Sequence, residues 1–303
     1  MSLMNRFWIY QSERFPLKKT VPLLLVFSAA SICVSARLAE RPLPDWPAFV
    51  VGFVLAMCLF FQMRVCDEFK DAEDDRRYRP ERPIPRGLVS PAEVLGLGLL
   101  TLPIAVAAAW LWYPPVLWCL LIVWVWLSAM TAEFGMPSWL KTRPILYLLS
   151  HMAIMPLIDL LLTSIEWLPA GGAPSQLWLF LALSFVNGCV LEIGRKLWAP
   201  ENEIEGVDTY SALWGPRKAT TIWLCCLLLS YALLVGTAFA TGVGWISMSI
   251  GAFVLVPCML GAQSYVRAPT AEAQERMDTI SGLWVFFCYA TAGFLPLLIG
   301  ALT

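Results

Sequence analysis

Apolar residues in this chain come in long unbroken blocks, and a helix needs ~20 mainly apolar residues to cross the hydrocarbon core of a bilayer. Such blocks run over 20–36, 46–65, 91–111, 114–134, 144–163, 175–196, 218–240, 243–264 and 280–301. In lipid the backbone must satisfy its own polar groups, so continuous blocks of this kind fold as helices. The sequence therefore reads as all-α: a polytopic integral membrane bundle of about nine transmembrane helices. The chain is 59% hydrophobic and 14% charged, whereas soluble domains carry about 25% charge. That balance excludes two soluble domains, a disordered chain and a small disulfide scaffold, and no nucleic-acid partner is expected. The nine cysteines show no CxxC spacing and lie almost entirely within apolar blocks, where Cys packs as a small hydrophobe.

Basic residues fix the expected orientation, because cytoplasmic loops are enriched in Lys and Arg. Nineteen of the 21 fall in the N-terminal tail and in the loops after spans 2, 4, 6 and 8; only Arg37 and Arg41 fall on the other side. A missed or invented span would spoil that separation. The expectation is a cytoplasmic N-terminus, cytoplasmic loops at about 64–90 and 192–218, and a C-terminus on the opposite side. Arg14, Lys18 and Lys19 before the first span resemble a signal-peptide start. No small-residue cleavage site follows, so the span is read as retained. The organisation is a tail, 1–19, and one transmembrane domain, 20–303. Several Trp, such as Trp46, Trp112 and Trp245, lie near span ends as interfacial anchors.

The loop after span 2 concentrates chemistry. Seven of the chain's 22 acids lie between Asp67 and Glu81. Asp67, Asp71 and Asp75 are spaced i, i+4, i+8, so a continuing helix would stack their carboxylates on one face. Like charges so placed repel unless a divalent cation sits among them. A few hard oxygen ligands suit Mg²⁺, which shares its shell with substrate phosphates. The segment Arg79-Pro-Glu-Arg82-Pro-Ile-Pro-Arg86-Gly87 follows. Its prolines forbid helix, and its arginines match phosphate oxygens in forked hydrogen bonds. Carboxylates plus arginines beside lipid suit a diphosphate head on an apolar tail.

The run Asp67-Glu68-Phe-Lys70-Asp71-Ala-Glu-Asp-Asp75 resembles the NDxxDxxxD motif of the UbiA superfamily of intramembrane prenyltransferases. The Arg-Pro-x-Arg-Pro-x-Pro-x-Gly continuation and the nine-span plan resemble that family as well. The resemblance implies that Glu68, Asp71 and Asp75, with Asp67 in the place of the family's Asn, bind Mg²⁺ bridging to a prenyl diphosphate. It implies that Arg82 contacts the diphosphate; Lys70 and Arg86 are further candidate contacts. Mg²⁺ and arginine would then stabilise the leaving diphosphate as the allylic C–O bond breaks, with aromatic rings shielding the carbocation.

The loop after span 6 is the second candidate. Its end, Gly206 to Lys218, resembles the family's segment after a second acidic motif, but the motif itself departs. Counting back without a gap puts Trp198 and Asn202 at the family's Asp positions. Six inserted residues put Glu192 and Lys196 there. A third register pairs Glu201 with Glu205. Glu192 is favoured as a metal ligand because it ends span 6 facing span 2. Lys196 and Arg195 are then candidate diphosphate contacts, and Asp208 is a further acid in the loop. Asp71, Asp75, Glu192 and Lys196 form the expected catalytic set.

Among the polar residues within spans four stand out, and Glu133, near the end of span 4, reads as an interfacial group. Asp159, at membrane depth, is a functional candidate by default. His151 lies eight residues before it, on roughly the same face. Asn187 reads best as a helix–helix hydrogen-bonding group. The expected activity is Mg²⁺-dependent transfer from a prenyl diphosphate to an aromatic or lipid acceptor. The alternative is a terpene cyclase of the same superfamily, which ionises the same head group without an acceptor. A transporter would spread its ionisable residues through the bundle, whereas here they gather at one face.

Overall fold

The computed structural model describes residues 2–301, and its described residues form helices and no strand. In chain order they are α1 (Leu3–Arg14), α2 (Leu17–Leu38), α3 (Trp46–Lys70), α4 (Ala72–Tyr78), α5 (Pro91–Trp112), α6 (Val116–Thr131), α7 (Pro137–Lys141), α8 (Pro144–Met152), α9 (Ile154–Trp167), α10 (Leu177–Gly194), α11 (Tyr210–Trp214), α12 (Pro216–Ala240), α13 (Gly244–Arg267) and α14 (Ala271–Gly300). Eight segments are long and apolar enough to span a membrane, the α8–α9 pair counting as one. The ninth, α6, has 16 residues.

Helix starts follow local chemistry. Before α5, the Ser90 hydroxyl accepts from the Glu93 amide while the Glu93 carboxylate accepts from the Ser90 amide, a closed capping box with Pro91 in the first turn. The block 144–163 forms two helices, broken at Ala153 and reaching Trp167. Pro156 explains the break, since it has no N–H for the carbonyl four residues back. The tail also differs from expectation: it contains the helix α1.

The helices close a ring in the order α2, α3, α5, α6, α9, α10, α12, α13, α14 and back to α2, and α9 also touches α2 and α3. Side chains such as Leu111, Phe253 and Leu260 point outward, as lipid-facing positions require. Inside, two buried carboxylates are paired. Asp159 is fully buried and accepts from Ser31 and from the Tyr289 hydroxyl, both at 2.6 Å. Two turns further along α9, Glu166 accepts from Ser35 at 2.6 Å and pairs with Arg41 at 2.9 Å. These bonds knit α2, α9 and α14. Gly293 permits the α2–α14 crossing: a Cβ there would sit 2.5 Å from the Ala30 Cα.

Candidate active site

The acidic run after span 2 does not form one stack. The helix ends at Lys70, Asp71 caps it, and α4 follows. Among the described residues no three His, Cys, Asp or Glu converge as a metal cage. The run divides instead by helix phase into two sets.

Glu68 and Asp75 turn toward α1. Arg14 Nε donates to Glu68 Oε1 at 2.5 Å, and Arg14 Nη2 lies 4.0 Å from Asp75. Arg82 Nη1 donates to both Asp75 oxygens, at 2.6 and 2.5 Å, and Arg79 approaches at 3.4 Å. The Glu68 and Asp75 side chains are 2% and 4% exposed. Burial and the neighbouring Arg82 hold the Arg79 guanidinium below its usual range. Arg86 pairs with Glu13 at 2.8 Å, away from the acids. The arginines of the Pro-rich segment thus bind protein carboxylates, and α1 lies strapped across them.

Asp67 and Asp71 form the second set, one turn apart on the other face. The Asp67 side chain is 44% exposed, with Arg64 at 3.7 Å. The Asp71 carboxylate has no hydrogen bond or ion pair among the described residues. Opposite them, α10 ends in Glu192, which binds Arg195 at 2.5 Å and Lys196 at 3.1 Å. Glu192, with a further contribution from Asp67, raises the Arg195 pKa. The ends of α3 and α10 both pack on α9, and Asp67 and Arg195 lie near enough for their charges to act on each other. Burial and the charge of Glu192 push the Tyr210 phenol up, so it stays protonated.

The two cytoplasmic loops also touch. Gly206 has φ +79, and a Cβ there would lie 2.2 Å from the Tyr78 ring at the end of α4. Only glycine meets both demands. Glu203 organises this loop, accepting from Thr209 at 2.7 Å and from Ser211 at 2.7 Å. From sequence Glu203 reads, with Glu201 and Glu205, as part of an acidic loop, because a loop carboxylate that holds hydroxyls has no spacing signature. Glu201 accepts from the Ala271 amide at 2.9 Å. Glu205 and Asp208 are exposed. A 3₁₀ turn at Pro200–Asn202 and irregular chain after it keep Glu201 and Glu205 from forming a helical i, i+4 pair.

Lys70 faces neither set of acids. It donates to the Tyr147 hydroxyl and lies 3.0 Å from His151 Nε2 and 3.4 Å from Glu133 Oε1. Tyr147 and His151 stack with centroids 4.0 Å apart. The break at Ala153 separates His151 from Asp159, which stays in the bundle interior. Asn187 is buried and accepts from Ser230 at 2.6 Å. Glu133 and Tyr147 belong to this Lys70 cluster, and the motif did not disclose them. Their one signal was position: Glu133 at a span end and Tyr147 one turn before the single histidine. Glu133 and Phe134 have φ of 46 and 53, a left-handed backbone that costs L-residues about 1–2 kcal/mol each.

Mg²⁺ is usually held by one or two carboxylates plus substrate phosphates rather than by a protein cage. Asp71, without a close cationic partner, and Asp67, 44% exposed with Arg64 at 3.7 Å, fit that requirement; Glu68 and Asp75, closed by arginines at 2.5 Å, do not. Two surface grooves meet at Trp214. One, of about 370 Å³, is lined by residues including Arg143, Leu146 and Leu149; the other, of about 510 Å³, by Arg217, Lys218 and Ile222 among others. Neither contains the acids, but the Trp214 ring packs on Tyr210 at 4.8 Å.

Comparison with known proteins gives the family and the fold. The model of the UbiA prenyltransferase family matches residues 25–288. No curated protein matches. Among solved structures, the apo structure of a UbiA homolog from Aeropyrum pernix K1 is similar with a TM-score of 0.69 at 15% identity, covering 91% of this chain and 98% of that one. A structure described as digeranylgeranylglyceryl phosphate synthase in membranes is similar with a TM-score of 0.64 at 14% identity, covering 98% and 99%. At these identities the likeness is one of fold.

Proposed function

The chain belongs to the UbiA prenyltransferase family, and from that premise we propose that it is a Mg²⁺-dependent intramembrane prenyltransferase. It takes a prenyl diphosphate from the bilayer, breaks the allylic C–O bond and passes the prenyl group to an aromatic or lipid acceptor. What supports the reading is a carboxylate pair, Asp67 and Asp71, at the end of α3, with Asp67 near enough to Arg195 for their charges to act on each other, and Arg195 and Lys196 both held by Glu192.

Asp67 and Asp71 would hold Mg²⁺, which when bound supplies positive charge to the departing diphosphate. Arg195 and Lys196 bind the diphosphate oxygens, Arg195 by its planar fork. Glu192 orients both from within the helix end, so their donors are aimed before the substrate arrives. Tyr210 closes one wall, with Lys196 Nζ 5.8 Å from its ring centroid. Glu68 and Asp75, held by Arg14 and Arg82, fix the α3–α4 corner that presents Asp71. The basic-residue count supports a cytoplasmic site, with the N-terminus on the same side.

The test is diphosphate release by the purified protein in detergent with Mg²⁺ and geranyl, farnesyl or geranylgeranyl diphosphate. Products are identified by mass spectrometry with and without phenolic or lipid acceptors. Acceptor-dependent prenylation is the expected result. A cyclic hydrocarbon or alcohol made without acceptor would identify a cyclase instead. No release under any condition would end the prenyl-diphosphate reading.

A further inference from the structure

The chain turns a corner between α11 and α12. Gly215, at φ +78, ends one helix and begins the next, a backbone that glycine adopts without strain. The turn leaves Trp214 as the wall common to the two surface grooves. One groove runs along the start of α8, where Ile145, Leu146 and Leu149 are exposed. The other runs along the first turns of α12 to Ile222. Both helices pack on α10, and Trp214 joins their starts in one lining.

Cations rim both grooves. Arg143 lines the first; Arg217 and Lys218 line the second, and no acid lines either. All three are exposed, and among the described residues none of them forms an ion pair. Arg143 donates instead to the Trp139 carbonyl and the Thr142 hydroxyl. By contrast Arg14, Arg82 and Arg195 each hold a carboxylate. The Trp214 N–H also has no hydrogen-bond partner among the described residues.

The place of these groups along the chain sets what they meet. Arg143 directly precedes the membrane-spanning segment Pro144–Trp167, and Arg217 and Lys218 lie in the first turn of Pro216–Ala240. The cations therefore stand at head-group depth, and the apolar side chains beyond them continue into hydrocarbon. An indole, with an apolar body and one N–H donor, suits that boundary. An apolar wall under a cationic rim complements an anionic head on apolar chains, and basic pockets between membrane helices bind anionic head groups. A second copy of the chain fits less well. A twofold contact sets the same patch against itself, cation against cation.

We propose that the grooves at Trp214 bind an anionic phospholipid, with Arg143, Arg217 and Lys218 on its phosphate and its acyl chains along α8. The site is separate from the acids of the proposed diphosphate site, and it stands whether or not the prenyl-transfer reading does. The two adjoin through one contact: the lipid packs on the ring that backs Tyr210 at 4.8 Å.

The experiment titrates the delipidated full chain in detergent and counts bound lipid by native mass spectrometry. The probes are dioleoyl phosphatidylglycerol and dioleoyl phosphatidylcholine, which share their chains and differ in net charge. Wild type is expected to bind phosphatidylglycerol about tenfold or more tightly than phosphatidylcholine. Replacing Arg143→Gln, Arg217→Gln and Lys218→Gln together is expected to weaken phosphatidylglycerol about tenfold or more and to leave phosphatidylcholine within about twofold. Arg217→Gln alone, with an expected loss of about fivefold, serves if the triple variant does not fold. Lys18→Gln with Lys19→Gln removes two exposed cations outside the grooves and should leave phosphatidylglycerol binding within about twofold of wild type. Equal binding of the two lipids by wild type, or groove variants with unchanged affinity, would overturn the proposal. So would an equal loss in the Lys18 and Lys19 variant, which would show diffuse attraction rather than a site. Inorganic phosphate that competes as effectively as the lipid would give the cations to a free anion and sink it too. A dimer lost in Trp214→Ala would assign the face to a second copy instead.

Discussion

Arg14 of the N-terminal helix and Glu68 of α3 are joined by a 2.5 Å hydrogen bond between groups that are 11% and 2% exposed. The bond ties a segment outside the spans to the helix that carries the open carboxylates. Breaking a buried ion pair by removing one partner costs about 3–5 kcal/mol, because the other charge is left buried. Arg14→Ala is therefore expected to lower the thermal unfolding midpoint in detergent markedly. Arg14→Ala with Glu68→Gln should recover part of the loss. A single variant as stable as wild type would show that the pair does not hold α1 in place.

The two sets of acids make different demands on substitution. Asp71→Asn and Asp67→Asn are expected to reduce diphosphate release by about 10²–10³, the scale of losing one electrostatic stabiliser, with little change in unfolding temperature. Asp75→Asn removes the carboxylate that Arg82 and Arg79 bind, so its main effect should be on stability. The reverse pattern, a stable but inactive Asp75→Asn, would return Asp75 to the metal set.

The second loop is tested by comparing two glutamates. Glu192 binds Arg195 and Lys196, whereas Glu205 is exposed. Glu192→Gln should raise the KM for prenyl diphosphate by about tenfold, as expected when binding groups lose their alignment. Glu205→Gln should leave kcat and KM at wild-type values. Dependence on Glu205 alone would favour the Glu201–Glu205 register.

Metal dependence has a binding readout as well as a kinetic one. Stabilisation by a ligand at 100 times its Kd is about 2.7 kcal/mol. Farnesyl thiolodiphosphate, a slowly reacting analogue, should raise the unfolding midpoint with Mg²⁺ and do so far less with EDTA. EDTA should also stop diphosphate release, and excess Mg²⁺ should restore it. A shift of equal size with EDTA would show that Arg195 and Lys196 bind the diphosphate unaided.

Orientation can be read with reporter fusions. A fluorescent protein that folds only in the cytoplasm should report at the N-terminus and after Arg86, and remain dark at the C-terminus. Fluorescence at the C-terminus would contradict nine crossings and make the status of the 16-residue α6 the first question.

Much of this was legible in the sequence. Apolar block length gave the helices and the membrane, since a bilayer demands length and internal hydrogen bonding whatever the packing. The clustered acids and the Arg-Pro segment pointed to the family and to the end of the bundle proposed to carry the chemistry. Helix phase past Lys70 was not legible. Three aspartates at i, i+4, i+8 share a face only while the helix stays straight, and Asp71 is where it turns. A charge pattern also cannot reveal pairing across 54 residues, the separation of Arg14 from Glu68. That pairing decides which acids are closed and which stay open.

The sequence by itself determined the all-helical membrane bundle, the family and the two loops that meet at its mouth, because these depend on block length and local residue type. The tertiary structure alone decided which carboxylates are paired and which stay open. It placed Asp67 and Asp71 toward the end of α10, Glu68 and Asp75 under arginines, and Glu133 in a left-handed turn with one unpartnered oxygen. The reason is physical: whether a carboxylate is open or neutralised depends on donors brought from distant parts of the chain, and only folding brings them.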